Sequence, residues 1–369
     1  MTRRAAVHRL PMSGPDDVSA IAALIARGAL RPGGIRAILG KTEGNGCVND
    51  FTRGFAVQSL CAMLGRHVTG DALARIPMVM SGGTEGGLSP HWIVLEERED
   101  EVPAPSGPAP SEPALAFASV VTRDLHPSEI GRRAQGDLVR EAVLSAMAAA
   151  GIDDPADVHF VQIKCPLLTA GRAAAAGGDV ATDSMLKSMG LSRGASALGV
   201  ALALGEIAEF ADADVGKSLD LWSSRASCSA GIELMGCEVV VLGLSPLWSG
   251  PLRIGHEVMQ DAIDAPAIAR LLGRAAPGAP LQGAGDRAVA LLCKAEASAS
   301  GLIRGARHTM LEDSDISSTR HARGFVGGMI AGLTGLTELF VSGGAEHQGP
   351  DGGGPAALIY DTAAKGPTE

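Results

Sequence analysis

The chain has 369 residues, 46% of them apolar and 20% charged, an ordinary globular balance with material for more than one core. A net charge of −10, with no basic stripe of interleaved aromatics, speaks against a nucleic-acid partner. Aromatics are only 3% while Gly reaches 49 residues, so tight turns and close backbone approaches are expected throughout.

The N-terminus, MTRRAAVHRLPMSG, carries early arginines but no apolar h-region, so it does not read as a signal peptide. A first strand-like run, IRAILG at residues 35–40, ends in Lys41. Arg53-Gly54-Phe55 then opens a helix-like stretch of small residues, and PMVM leads into Ser81-Gly82-Gly83. Residues 97–113, EREDEVPAPSGPAPSEP, combine a charge run with alternating Pro and read as an unpacked linker. The same order then returns: VHFVQI before Lys164, Arg193-Gly194-Ala195 at a helix start, and Ser229-Ala230-Gly231 at a turn. The most apolar stretch, residues 195–207, is too short and Gly-interrupted to span a bilayer. After a weak break at 246–255 comes a third copy: AVALLC before Lys294, Arg323-Gly324-Phe325, and ELFV before Ser342-Gly343-Gly344.

Three segments follow, residues 1–104, 113–250 and 256–369, each an α/β repeat with Lys at a strand end, Arg at a helix start and Ser at a turn. Lys and Arg are 29 residues apart in the later two and 12 in the first. The fold class expected is α/β: three pseudo-threefold-related repeat units packed around a central active site. The six cysteines (Cys47, Cys61, Cys165, Cys228, Cys237, Cys293) show no CxxC pairing and read as free thiols of a reducing cytoplasm.

Such an array gathers three hydroxyls, three amines and three guanidinium groups where the units meet, a favoured place for a ligand. A serine hydroxyl needs a base, and lysine serves when burial and neighbouring cations lower its pKa from about 10.4. Gly close to each serine lets backbone N–H groups face a developing oxyanion. No GxSxG elbow, HExxH, Walker loop or strand-led GxGxxG competes. His308, His321 and His347 read as structural, and Asp313, Asp315 and His321 as a capped loop rather than a metal site. The loop at 343–355, GGAEHQGPDGGGP, has the glycines to turn its carbonyls onto a hard cation, or is a plain surface loop.

Six strings identify a resemblance: GKTEGNGCVND at 40–50, SGGTEG at 81–86, KCPLLT at 164–169, SRGASALG at 192–199, SAGIEL at 229–234 and SGGAEHQGP at 342–350. Over residues 6 to 360 the chain resembles the cyanuric acid hydrolase/barbiturase family, cyclic amide hydrolases built from three repeats about a pseudo-threefold axis. The resemblance implies Ser229 as nucleophile and Lys164 as its base, with Lys41 and Lys294 in the other two Ser–Lys pairs. It implies substrate contacts from Arg53, Ser81, Gly82, Arg193, Ala230, Arg323, Ser342 and Gly343, and substrate choice at Arg320. It implies a structural Mg²⁺ (or Ca²⁺) held by the Glu296 carboxylate and by backbone carbonyls of Ala345, Gln348, Gly349, Pro350 and Gly353. It also implies no organic cofactor, and a homotetramer without membrane attachment.

Strings around Cys47 and Arg320 lie nearer the cyanuric acid branch. The expected reaction is therefore opening of the s-triazine ring to carboxybiuret, which loses CO₂ to give biuret. The alternatives are a barbiturase opening barbituric acid to ureidomalonate, and a non-catalytic protein that holds a small metabolite. One local difference bears on which pair reacts. Lys41 and Lys294 are followed two residues later by Glu43 and Glu296, whereas Lys164 is followed by Cys165-Pro166. Lacking a local carboxylate, Lys164 is expected to lose its proton most easily.

Overall fold

The computed structural model describes residues 2–100, 112–278 and 285–363. The chain opens with β1 (Thr2–Pro11), α1 (Ser19–Ala26), β2 (Ile35–Thr42), α2 (Phe51–Leu64), a one-turn α3 (Gly70–Leu73), β3 (Met78–Gly82) and β4 (His91–Asp100). The middle segment gives β5 (Ala114–Val121), α4 (Arg133–Ala150), β6 (Val158–Pro166), α5 (Ala170–Ala175), α6 (Met185–Ala203), β7 (Ala226–Gly231) and β8 (Glu238–Ser245). A two-residue β9 (Trp248–Ser249) leads to β10 (Leu252–Met259), α7 (Ala265–Ala275), β11 (Ala288–Ala295) and the hairpin β12 (Leu302–Ile303) and β13 (Ala306–Arg307). The helix α8 (Ser318–Thr334), β14 (Phe340–Gly343) and β15 (Gly354–Asp361) complete it.

Three sheets share one strand order: β3-β2-β4-β1, β7-β6-β8-β5 and β14-β11-β15-β10. In each, the two strands joined by a helical crossover run parallel and the other neighbours antiparallel, as crossover and hairpin connections require. Even a local irregularity recurs. A 3₁₀ turn precedes β2, β6 and β11, and the pairing slips at the start of each strand, between Ile35 and Ala37, Val158 and Phe160, and Ala288 and Ala290. The chain is thus an α/β fold of three equivalent units.

Side-chain alternation along the central strands explains how the units meet. Successive residues face opposite sides of a sheet. In β2, Leu39 joins a core shared by all three units, while Ile38 packs with Leu60 and Trp92 in the first unit's own core. In β11, Leu292 faces the shared core and Leu291 packs with Ile268 and Val326. Both faces are buried, so these strands read as continuous apolar runs, and the three sheets present their inner faces to one another.

Two boundaries differ from the sequence reading. Residues 97–100 do not form linker but extend β4, because Glu97 accepts hydrogen bonds from Arg3 at 2.6 Å and Arg36 at 2.7 Å. The rest of that Pro-rich stretch, residues 101–111, lies outside the described residues. The break at 246–255 is occupied by β9 and the start of β10; Trp248 pairs in parallel with Arg3 of β1, and its indole donates to Ala150 O at 2.8 Å. All six cysteines are free. Among the described residues no helix is long and apolar enough to cross a membrane.

Candidate active site

Strand register pairs each lysine with the serine of its own unit: Lys41 with Ser81, Lys164 with Ser229 and Lys294 with Ser342. All six side chains are buried. The serines are not turn residues, as the sequence suggested; they lie within β3, β7 and β14, because the parallel pairing with the lysine strand continues beyond each. The arginines also sit differently. Arg53 is in the first turn of α2, but Arg193 lies about two turns into α6, because Ser184 accepts from Lys187 N–H and starts that helix at Met185.

Three glutamates that the sequence reading left without a role connect the units. Each stands four residues after a serine, as Glu85, Glu233 and Glu346, and Ser-[Gly/Ala]-Gly-x-Glu in all three units was the signal. Arg323 grips Glu85 with Nε at 2.9 Å and Nη2 at 2.5 Å, and Arg193 grips Glu346 at 2.8 and 2.7 Å. Arg53 Nε lies 3.4 Å from Glu233. Each arginine thereby reaches into the next unit, and the three contacts close a ring. Gly83 (φ 108°) and Gly344 (φ 79°) are required here, since a Cβ would sit 2.4 Å from guanidinium atoms of Arg323 and Arg193 respectively.

The three lysines differ. Lys41 Nζ donates to Ser81 Oγ at 3.3 Å. Lys164 Nζ donates to Met80 O at 2.6 Å and is ion-paired with Glu233 Oε1 at 2.9 Å. Lys294 Nζ donates to Cys228 O, Ser342 Oγ and Gly343 O at 2.9, 3.1 and 3.1 Å. Burial disfavours each ammonium, and Arg323, Arg53 and Arg193 add repulsion at Lys41, Lys164 and Lys294. Lys41 falls well below the ordinary lysine range, Lys164 falls below it and Lys294 drops to about 7. The expectation that Lys164 loses its proton most easily is overturned: Glu233, distant in sequence, supplies the carboxylate that its own strand lacks and favours the ammonium, while Glu43 near Lys41 in sequence is exposed.

A cavity at the meeting point is lined by Ser81, Ser229 and Ser342, by Arg53, Arg193 and Arg323, and by Gly82, Ala230 and Gly343. Among the three lysines, Lys164 is the one on its wall. A wider vestibule beside it is lined by Arg193, Arg323, Lys187 and Arg320. Arg320 is therefore at the entrance rather than among the serines, and its buried Nε has no hydrogen-bond partner among the described residues.

The loop from Gly344 to Gly354 lies beside Glu296. Positive φ at Gly344, His347, Gly349, Gly352 and Gly354 folds it tightly, and Gln348 ties it to β7 by accepting from Cys228 N–H at 2.6 Å. Glu296, Ala345, Gly349 and Pro350 line one pocket. Burial and the neighbouring Glu346 raise the Glu296 pKa, which marks a carboxylate short of positive charge. Glu296 and the loop residues Ala345, Gly349 and Pro350 share this lining, and a carboxylate with backbone carbonyls is the kind of donor set that suits a hard cation. His347 is a scaffold residue, with Nε2 accepting from Gly216 N–H and Nδ1 bonded to Leu221 O. Asp313 accepts from Asp315 N–H and bonds His321, capping its loop as expected.

Fold and site define a triplicated α/β protein with one central cavity walled by hydroxyls and guanidinium groups. The chain belongs to the family described as amidohydrolase ring-opening proteins, whose model matches residues 6–361, and it is a hydrolase. A cyanuric acid amidohydrolase of Azorhizobium caulinodans is 59% identical over 360 residues, covering 96% of this chain and 98% of its own. One from Bradyrhizobium sp. is 57% identical over 368 residues, covering 97% and 98%. The crystal structure of the cyanuric acid hydrolase from A. caulinodans superposes with a TM-score of 0.90 at 56% identity, covering 98% of this chain and 100% of that one. A second solved cyanuric acid hydrolase gives 0.92 at 46% identity with the same coverage.

Proposed function

We propose that the chain hydrolyses cyanuric acid by a Ser–Lys mechanism with Ser229 as nucleophile and Lys164 as its base. The observation that carries this reading is that the middle unit alone places both its serine and its lysine on the cavity wall. The substrate class fits the cavity. Cyanuric acid is flat and threefold symmetric, with carbonyls alternating with N–H groups, and the wall repeats serine and arginine three times.

Ser229 Oγ bonds to a ring carbonyl carbon while its proton passes to Lys164 Nζ, and neighbouring N–H and O–H donors hold the oxyanion. The C–N bond then breaks, and the ring nitrogen takes the proton from Lys164. Lys164 next deprotonates a water, which bonds to the acyl carbon; the bond to Ser229 Oγ breaks, Oγ takes that proton back from Lys164, and carboxybiuret is released; loss of CO₂ leaves biuret. Arg53, Arg193 and Arg323 orient the ring, and Arg320 screens what enters. A structural Mg²⁺ (or Ca²⁺) would be held by Glu296 and the carbonyls of Ala345, Gln348, Gly349, Pro350 and Gly353, neutralising charge behind Lys294. On the family resemblance the working form is a cytoplasmic homotetramer.

The test is incubation with cyanuric acid and, separately, barbituric acid, following each ring's ultraviolet absorbance beside Ser229→Ala and Lys164→Ala controls. Loss of the cyanuric acid signal alone, abolished in both variants, is expected. Turnover of barbituric acid instead moves the substrate to the sister activity, and turnover of neither sinks the assignment.

A further inference from the structure

A threefold-symmetric ring in a near-threefold cavity meets three Ser–Lys pairs, and binding alone does not decide which one reacts. The structure breaks the symmetry at the glutamate that follows each serine. In the first and third units the glutamate after the serine is locked by two hydrogen bonds from an arginine, Glu85 by Arg323 and Glu346 by Arg193. In the middle unit that lock is loosened to one ion-pair contact, Arg53 Nε at 3.4 Å from Glu233 Oε1, with no hydrogen bond between them. Arg53 donates Nη2 to Cys47 O at 2.9 Å and Nη1 to Asp50 Oδ2 at 3.4 Å, and its buried Nε makes no hydrogen bond among the described residues. Glu233 instead lies 2.9 Å from the Lys164 ammonium.

We propose that Asp50 and Glu233 designate the reacting pair: Asp50 draws Arg53 aside, and Glu233, so released, becomes the positioning residue of Lys164. This rests on the Ser229–Lys164 reading above.

Asp50 has no counterpart in the other units, where Gly190 and Arg320 stand three residues before the arginine. It is buried and fully engaged. Oδ1 accepts from Thr52 N–H at 3.0 Å and Thr52 Oγ1 at 2.5 Å, and Oδ2 accepts from Gly46 N–H at 2.8 Å. The carboxylate also presses on the serine strand, where a Cβ at Gly82 would come within 1.9 Å of Oδ2. The turn after the serine differs as well. Gly83 and Gly344 take positive φ to pass under their arginines, whereas Gly231 continues β7.

The groups facing Lys164 are Glu233, Arg53, Cys165 and, opposite it on β8, Glu238, which accepts from Met78 N–H. Opposite Lys41 the corresponding residue is His91. A carboxylate beside a buried amine favours the ammonium form and offsets part of what burial and Arg53 take away, so Lys164 is a stronger base than burial alone allows.

The experiment is the pH profile of kcat for Glu233→Gln, an isosteric change. Its acid limb is expected to move to lower pH by about 1–3 units, the shift an adjacent opposite charge produces. Asp50→Asn, which returns Arg53 to Glu233, is expected to move it in the same direction, and Glu233→Asp to restore it in part. Glu85→Gln, the equivalent change in the first unit, is expected to raise KM with the limb in place. An unmoved limb in both Glu233→Gln and Asp50→Asn, or an equal shift in Glu85→Gln, overturns the proposal. Turnover surviving in Ser229→Ala sinks the underlying assignment instead, so the two failures are distinguishable.

Discussion

The hydroxyls of Ser229 and Ser342 lie 2.9 Å apart although 113 residues separate them in sequence. Ser342 in turn takes a hydrogen bond from Lys294 at 3.1 Å, so the Ser229 hydroxyl, the proposed nucleophile, is oriented by the Ser–Lys pair of the third unit. Ser342→Ala is expected to lower kcat by about 10–100-fold, the effect of losing a hydrogen bond to a group that becomes charged. Steady-state kinetics checks this, with Ser81→Ala, whose hydroxyl serves Lys41, expected to act mainly on KM.

The Arg–Glu ring closes the cavity. Arg193 and Arg323 hold their glutamates through two parallel hydrogen bonds, a geometry the lysine ammonium does not reproduce. Arg323→Lys and Arg193→Lys are expected to raise KM by at least about tenfold, one lost charge-assisted hydrogen bond, and to lower the melting temperature. Truncation to Ala is expected to cost more, roughly 2–5 kcal/mol, because a largely buried carboxylate is left unpaired. Ligand binding and thermal unfolding of the same variants separate the two contributions.

Glu296 and its loop give a metal-dependence test. Adding Mg²⁺ or Ca²⁺ to chelator-treated protein is expected to raise the melting temperature, since a ligand that binds only the folded chain stabilises it by mass action. Glu296→Gln is expected to remove that response. An equal rise in the variant would place the cation elsewhere.

His159 and His256 face each other across the second and third units with Nδ1 atoms 2.8 Å apart. Burial, with Arg225 and Arg274 nearby, lowers them from 6.5 to about 3 and about 4. Their folded-state pKa values lie below the unfolded one, so their contribution to stability is fully present above the ordinary value of 6.5 and is lost as pH falls toward about 4. The melting temperature is expected to drop from about pH 7 to about pH 5, with a shallower slope in His256→Gln. Parallel slopes would assign the acid sensitivity to other groups.

Much of the site was legible because a triplicated chain writes the residues around its central cavity three times. Lys41, Lys164 and Lys294 stand out as the ends of apolar runs, and those runs are buried strands since both faces pack. The serines are visible in sequence but read as turns, because Gly-Gly signals a turn when the partner strand is out of view. Arg193 reads as a helix start because Arg-Gly overshadows Ser184, whose hydroxyl caps the helix about two turns earlier.

By itself the sequence determined the three α/β units, their buried central strands and the residue types brought to the axis, because strand period, apolar runs and repeated strings are local properties. The tertiary structure decided the pairings. Arg193 meets Glu346 across 153 residues and Arg323 meets Glu85 across 238, and Lys164 finds its carboxylate in Glu233 rather than in its own strand. Charge pairing acts over a few ångströms of space, and distance along the chain does not report it.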